Sequence, residues 1–170
     1  MAKPYRVYWD ACTWISYINE ERSITMKDGT VENRFAMCEA VLKRAEKGEI
    51  EIVTSAFTLA EVCKGADAKT TNLGKLPYFL DHDFILAIPV NKNIEIKAQK
   101  ILCSGLSAMK PPDATHLASA QRANAKEFHT FDADLLAKDG QINSDDGQTI
   151  KCCRPGEGQT GPNLFSASKT

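Results

Sequence analysis

The sequence has no excess of charge of either sign: 21 Lys and Arg stand against 22 Asp and Glu, for a formal net charge of -1. Without a global basic field, a nucleic-acid partner has to be held by a local cluster of cations. No apolar run approaches the roughly 18 residues of a membrane span, which argues against a membrane protein. The opening residues MAKPYRVYWD lack the basic-then-apolar pattern of a secretory leader. The six cysteines include no C-x-x-C pair. A chain of 170 residues can also build its own core, so they read as reduced, mostly buried thiols rather than a disulfide framework. The expectation is a soluble, cytoplasmic protein. No internal repeat is visible.

What the sequence does have is alternation of two kinds of segment. RVYW is a β-branched and aromatic run ending at Asp10, and TWISYIN then carries apolar residues at near-helical spacing. Residues 20–30 are polar and read as a loop. Val31, Phe35, Cys38, Val41, Leu42 and Ala45 mark one helical face, stopped by Gly48. EIEIVT predicts a strand, and Ser55 and Thr58 are capping candidates for a short helix holding Leu59, Glu61 and Val62. FILAIPV predicts a further strand, followed by a helix through Ile94, Ala98, Ile101 and Leu102 that ends near Gly105. An Ala-rich helix from Asp113 to Ala125 follows two prolines, then come the strand EFHT, the short helix DLLAKD and a last strand TIKCC. This order predicts an α/β sandwich on a mainly parallel sheet. Residues 1–154 are expected to form the domain. Residues 155–170, rich in Gly, Pro and Ser, are expected to be a flexible tail.

In parallel α/β sheets, chemistry gathers beyond the carboxyl ends of the strands. Asp10 directly follows the first strand and Asp132 follows EFHT, while Glu61 lies on the helix leaving EIEIVT and Asp113 begins the Ala-rich helix. All four can converge at one edge of the sheet. Carboxylates that share a pocket must either stay partly protonated or bind a cation, and Mg²⁺ or Mn²⁺ is the hard ion that prefers oxygen. A phosphodiester is the natural substrate for such an ion. Each acid also has a plain structural role open to it: Asp113 as a helix cap, Asp132 as a cap or Asx-turn, Asp10 as a turn residue. Glu61 resists that reading, because the surrounding LAEV would otherwise be an apolar face.

The strings WDACTWI, SAFTLAEV, KPPDATHLASA and FHTFDADL, in this order, resemble the four acidic motifs of the PIN-domain nucleases, and most closely those of VapC-type toxins. The resemblance runs from about Val7 to Arg154. It implies a three-layer α/β/α sandwich, dependence on Mg²⁺ or Mn²⁺, and endonucleolytic cleavage of RNA leaving a 3′-hydroxyl and a 5′-phosphate. By the same resemblance, Asp10, Glu61, Asp113 and Asp132 are metal-coordinating, catalytic acids, Thr130 is the family's hydroxyl near the fourth acid, and Asp134 is a helper. Cys12 departs from the Ser, Thr or Asn usual two residues after the first acid, and Thr13 is a substitute hydroxyl. As a toxin, the chain would have a cognate antitoxin, and a homodimer is expected.

Lys64, Lys110 and Arg122 are candidates for contact with RNA phosphates, and Trp14 and Tyr17 for stacking, although Trp14 fits a core position better. His116 shares a helix face with Asp113 and reads best as a packed, hydrogen-bonded histidine, whereas His82 and His129 have no evident partner. Three other functions are open: an RNA-processing PIN nuclease without an antitoxin, a non-catalytic PIN module binding RNA or protein, and an aspartate-nucleophile phosphatase. Cys12 counts against the last, which needs an acid at that place.

Overall fold

The computed structural model describes residues 4–63 and 72–158. Its frame is a six-stranded sheet in the order β5-β4-β1-β6-β8-β7. The strands are β1 (Arg6–Trp9), β4 (Glu51–Ser55), β5 (Ile85–Ile88), β6 (Glu127–His129), β7 (Ile142–Asn143) and β8 (Thr149–Cys153). All neighbours pair in parallel except β7, which runs antiparallel to β8 at the edge. β1 lies between β4 and β6, so the residue that follows it emerges in the middle of the sheet.

Because strand side chains alternate between faces, β1 feeds two cores. Val7 and Trp9 join Trp14 and Ile18 of α1 (Ala11–Ile18) and Cys38, Val41 and Leu42 of α2 (Arg34–Glu46) on one face. Tyr8 joins Ile94, Ala98 and Ile101 of α5 (Lys92–Cys103) and the alanines of α6 (Pro111–Arg122) on the other. Small residues on α6 let it lie close to the sheet, where Ala114, Leu117, Ala118 and Ala120 are fully buried. The result is the three-layer α/β/α sandwich with a mainly parallel sheet expected from the sequence.

Several local expectations change. Residues 20–30 are not simply a loop, since β2 (Ile24–Thr25) pairs antiparallel with β3 (Val31–Glu32). Val31 therefore belongs to that hairpin, 64% exposed, and α2 starts at Arg34 behind an Asn33 side chain that accepts from the Ala36 N–H. α6 begins at Pro111, in accord with the preference for proline in the first helical turn, and Asp113 sits within that turn rather than capping it. Asn124 at φ 54 ends the helix three residues after Gln121. All six cysteines are free, with Cys38, Cys152 and Cys153 buried but Cys63 and Cys103 exposed. α3 (Thr58–Glu61), α4 (Leu76–Leu80) and α7 (Ala133–Leu136) are the remaining α-helices among the described residues. Among the described residues no helix is long and apolar enough to cross a membrane. At the end of the described chain, Pro155 and Gly158 are buried, and residues 159–170 of the expected tail lie outside the described residues.

Candidate active site

Asp10, Glu61, Asp113 and Asp132 line one cavity of about 210 Å³, together with Cys12, Ile15, His116 and Leu135. The four acids come from four different elements. Asp10 and Asp132 each follow a parallel strand and cap the helix after it, so the sheet itself delivers them to one edge.

Asp10 is the most tightly held. Only 3% exposed, it accepts at Oδ1 from the Thr13 N–H at 2.9 Å, and the Thr13 hydroxyl lies 2.9 Å from both that oxygen and the His129 carbonyl. The Cys12 thiol reaches both Asp10 oxygens, at 3.0 and 3.2 Å, and its sulfur accepts from the Phe131 N–H at 3.3 Å. Cys12 thus does the bridging between β1 and β6 that a hydroxyl would do. Burial and the Asp10 charge push its thiol well above the ordinary value, which keeps it protonated and able to donate. Asp132 is fixed through both backbone and side chain: its N–H donates to Thr130 Oγ1 at 3.0 Å, and its Oδ1 accepts from the Asp134 N–H at 2.8 Å. Thr13 and Thr130 thus bond to Asp10 and to the Asp132 backbone, respectively. Asp134 contributes its backbone, while its carboxylate turns to Lys110 Nζ at 4.0 Å, an exposed pair worth little in itself.

Asp113 carries the electrostatic signature of the site. Its carboxyl is raised above the ordinary 3.8, first by burial, then by the neighbouring Asp132 and, more weakly, by Glu61, against the lowering influence of Lys110. Like charges crowd this end of the sheet. Glu61, the last residue of the four-residue α3, is bonded to His116 Nε2. His116, read from the sequence as a packed histidine, is packed and also lines the cavity.

The cations fall in different places. Lys110 stands beside the acids. Arg122 ends α6 nine residues beyond Asp113, about 13 Å along the helix axis, and faces a separate cavity with Arg6 and Lys97. Lys64 lies outside the described residues. Trp14 is fully buried, donating to Thr54 Oγ1, and Tyr17 stacks on Phe35, so both serve packing. Tyr8 had no sequence signal beyond the rule that a buried phenol needs a partner; its hydroxyl lies 2.8 Å from His116 Nδ1.

A second set of possible ligands, Glu127, His129 and Cys153, is buried on the other side of β1. The Trp9 indole N–H donates to His129 Nδ1 at 3.2 Å, which places the ring proton on Nε2, where it donates to Glu127 at 2.7 Å. A metal at Nε2 would require that proton on Nδ1, against the indole N–H. The chemistry of this cluster is that of an internal hydrogen-bond network, whereas the four-acid cavity has the oxygen donors and charge excess that suit a hard divalent cation.

The model of the PIN domain family matches residues 31–141. That range includes Glu61, Asp113 and Asp132; Asp10 precedes it and enters the site through the fold. No curated protein matches the sequence. Among solved structures, the fold is similar to that of Mycobacterium tuberculosis VapC20, described as a sarcin-ricin loop cleaving toxin, with a TM-score of 0.55 and 17% identity over 75% of this chain and 91% of that one.

Proposed function

This chain belongs to the PIN domain family, and from that membership we propose that it is an endoribonuclease that hydrolyses RNA phosphodiester bonds with Mg²⁺ or Mn²⁺ held by Asp10, Glu61, Asp113 and Asp132. The observation that carries the reading is the meeting of four carboxylates from four elements in one small cavity, with Asp113 held above its ordinary range by burial and by its acidic neighbours. A bound divalent ion would offset that charge, and when bound it supplies Lewis-acid stabilisation of the phosphate and an activated water. The chain's own groups do the rest. Thr13 and Cys12 hold Asp10 in one rotamer, Thr130 and the Asp134 N–H hold Asp132, and Lys110 offers a cation at the rim for a phosphate. With a net charge of -1 the protein has to hold RNA through such local contacts, and Arg122 would contribute only to an RNA long enough to follow α6.

The reading extends to a toxin of a toxin–antitoxin pair, acting in the cytoplasm as a homodimer and restrained by a cognate antitoxin, with residues 1–154 as the nuclease domain. The likeness in fold to VapC20 supports it. An RNA-processing nuclease without an antitoxin is the alternative, and co-expression separates the two. Growth arrest on expression, relieved by a neighbouring small protein, supports the toxin.

The test is cleavage of mixed RNA by the purified full chain. Cleavage is expected with Mg²⁺ or Mn²⁺, and is expected to be lost in EDTA and in Asp10→Asn. Cutting that survives both losses rejects the metal site. RNA binding without cutting in every metal would favour a non-catalytic module.

A further inference from the structure

Glu61 differs from the other three acids in how it is held. Asp10 and Asp132 are fixed by neighbours within three residues in sequence, and Asp113 lies on a twelve-residue helix. Glu61 ends a helix of four residues whose cap has no side-chain hydrogen bond. One turn of helix cannot by itself hold a side chain in a single position. The bond to His116 supplies what α3 lacks, and it comes from α6, the helix that also carries Asp113.

His116 is in turn fixed. Its side chain is only 3% exposed, and its ring lies between Tyr8, at a centroid distance of 5.8 Å, and Phe57, at 5.9 Å. An ionised carboxylate only accepts hydrogen bonds, so Nε2 carries the proton that goes to Glu61. The other ring nitrogen, Nδ1, has the Tyr8 hydroxyl 2.8 Å away. Tyr8 has no exposed surface, and its phenol oxygen also faces hydrogen-bonding groups of Ser55 and Ser119. β1 thus reaches Glu61 by a path through α6 as well as placing Asp10 directly.

We infer that Tyr8 and His116 are positioning residues, a buried Tyr–His relay that sets the orientation of Glu61 toward a divalent cation shared with Asp10, Asp113 and Asp132. The inference rests on the metal-dependent reading above. A histidine ring held in one orientation presents its Nε2 in one direction, and partners of this kind behind a metal-binding carboxylate are worth about 10- to 100-fold in metal affinity.

The test is Mn²⁺ binding by the full chain, measured by calorimetry without RNA, for wild type, Tyr8→Phe, His116→Leu and His116→Gln. Tyr8→Phe keeps the ring that stacks on Phe128 at 5.0 Å and so keeps the core. Tyr8→Phe and His116→Leu are expected to weaken Mn²⁺ binding by about 10- to 100-fold, and His116→Gln, which retains an N–H donor, to recover part of the loss. Neither change should add to the effect of Glu61→Gln, because all act through one carboxylate. Cleavage should fall at limiting Mn²⁺ and return as Mn²⁺ is raised. Wild-type affinity in both Tyr8→Phe and His116→Leu, or losses that add to Glu61→Gln, would overturn this inference alone. A wild-type chain that binds no Mn²⁺ would overturn it together with the reading on which it rests.

Discussion

Two Glu–His pairs stand on opposite faces of β1, each completed by one of two successive residues of that strand. Tyr8 faces His116 and Glu61, and Trp9 faces His129 and Glu127. The local chemistry is nearly the same: the polar group of an aromatic side chain at Nδ1 and a carboxylate at Nε2. What differs is what lies around the carboxylate. Glu61 is 15% exposed and lines a cavity with three more acids. Glu127 is 1% exposed, accepts from the Tyr5 hydroxyl at 2.9 Å, and has Gly158 packed against it. Cys153 beside it stays a thiol, pushed up by burial and by the Glu127 charge. A hydrogen-bonded Glu–His pair is therefore not a functional sign in itself. Access, and the company of like charges, separates a site from a brace.

The largest expected effect lies on the closed side. Glu127→Ala would leave the His129 N–H and the Tyr5 hydroxyl without their acceptor inside the protein, at about 1–3 kcal/mol for each orphaned group. Urea unfolding should show a loss of about 3 kcal/mol or more, a large share of the stability of a domain this size. Cleavage per folded molecule should be unchanged. A variant that kept its stability and lost cleavage would break the comparison, because the closed pair would then be functional. A smaller loss is expected for Gly158→Ala. A Cβ there would come within 2.3 Å of the Glu127 carboxylate, which Tyr5 and His129 prevent from moving aside. About 1–3 kcal/mol is expected, and the penalty should largely disappear in the Glu127→Ala background.

The open side was legible in the sequence and the closed side was not. Asp10 follows the apolar strand RVYW, Asp132 comes directly after the EFHTF segment, and Glu61 interrupts an apolar face, so these acids mark themselves by position. Tyr8 and Glu127 carry no such mark. Tyr8 meets His116 across 108 residues of chain, and Glu127 looks like an ordinary polar position in a half-exposed strand until Gly158 packs against it. The β2–β3 hairpin escaped for a related reason. Its strands have two residues each, too short for a period to show, and it is joined to the body by Arg34, which pairs with Glu32 at 3.1 Å and lies over the Phe131 ring. Arg122 is on the same helix as Asp113, but nine residues carry it to the far end. Sequence gives the helix and cannot by itself give the reach of the site.

The smallest effect sharpens the comparison most, because it has the opposite sign to the closed-side changes. Asp113 is raised above 3.8 by burial and by Asp132 and Glu61, so in the metal-free protein the folded state holds its proton more tightly than the unfolded chain does. As pH rises through the window just above 3.8, the unfolded state ionises first and stability falls. Above the raised value the full penalty is present; below 3.8 it is absent. Asp113→Asn removes that titration, so without metal the variant should be slightly more stable than wild type at neutral pH, with the difference vanishing in acid. Asp113 is only partly buried, so water screens the interaction, and the gain should be on the order of half a kcal/mol. Added Mn²⁺ should reverse the order, because a ligand stabilises the state that binds it, and wild type binds more tightly. Thermal melts of both proteins across pH, with and without Mn²⁺, read all three signs. An Asn variant less stable than wild type in the absence of metal would mean that Asp113 braces the fold, as Glu127 does, and the division between site and brace would fail.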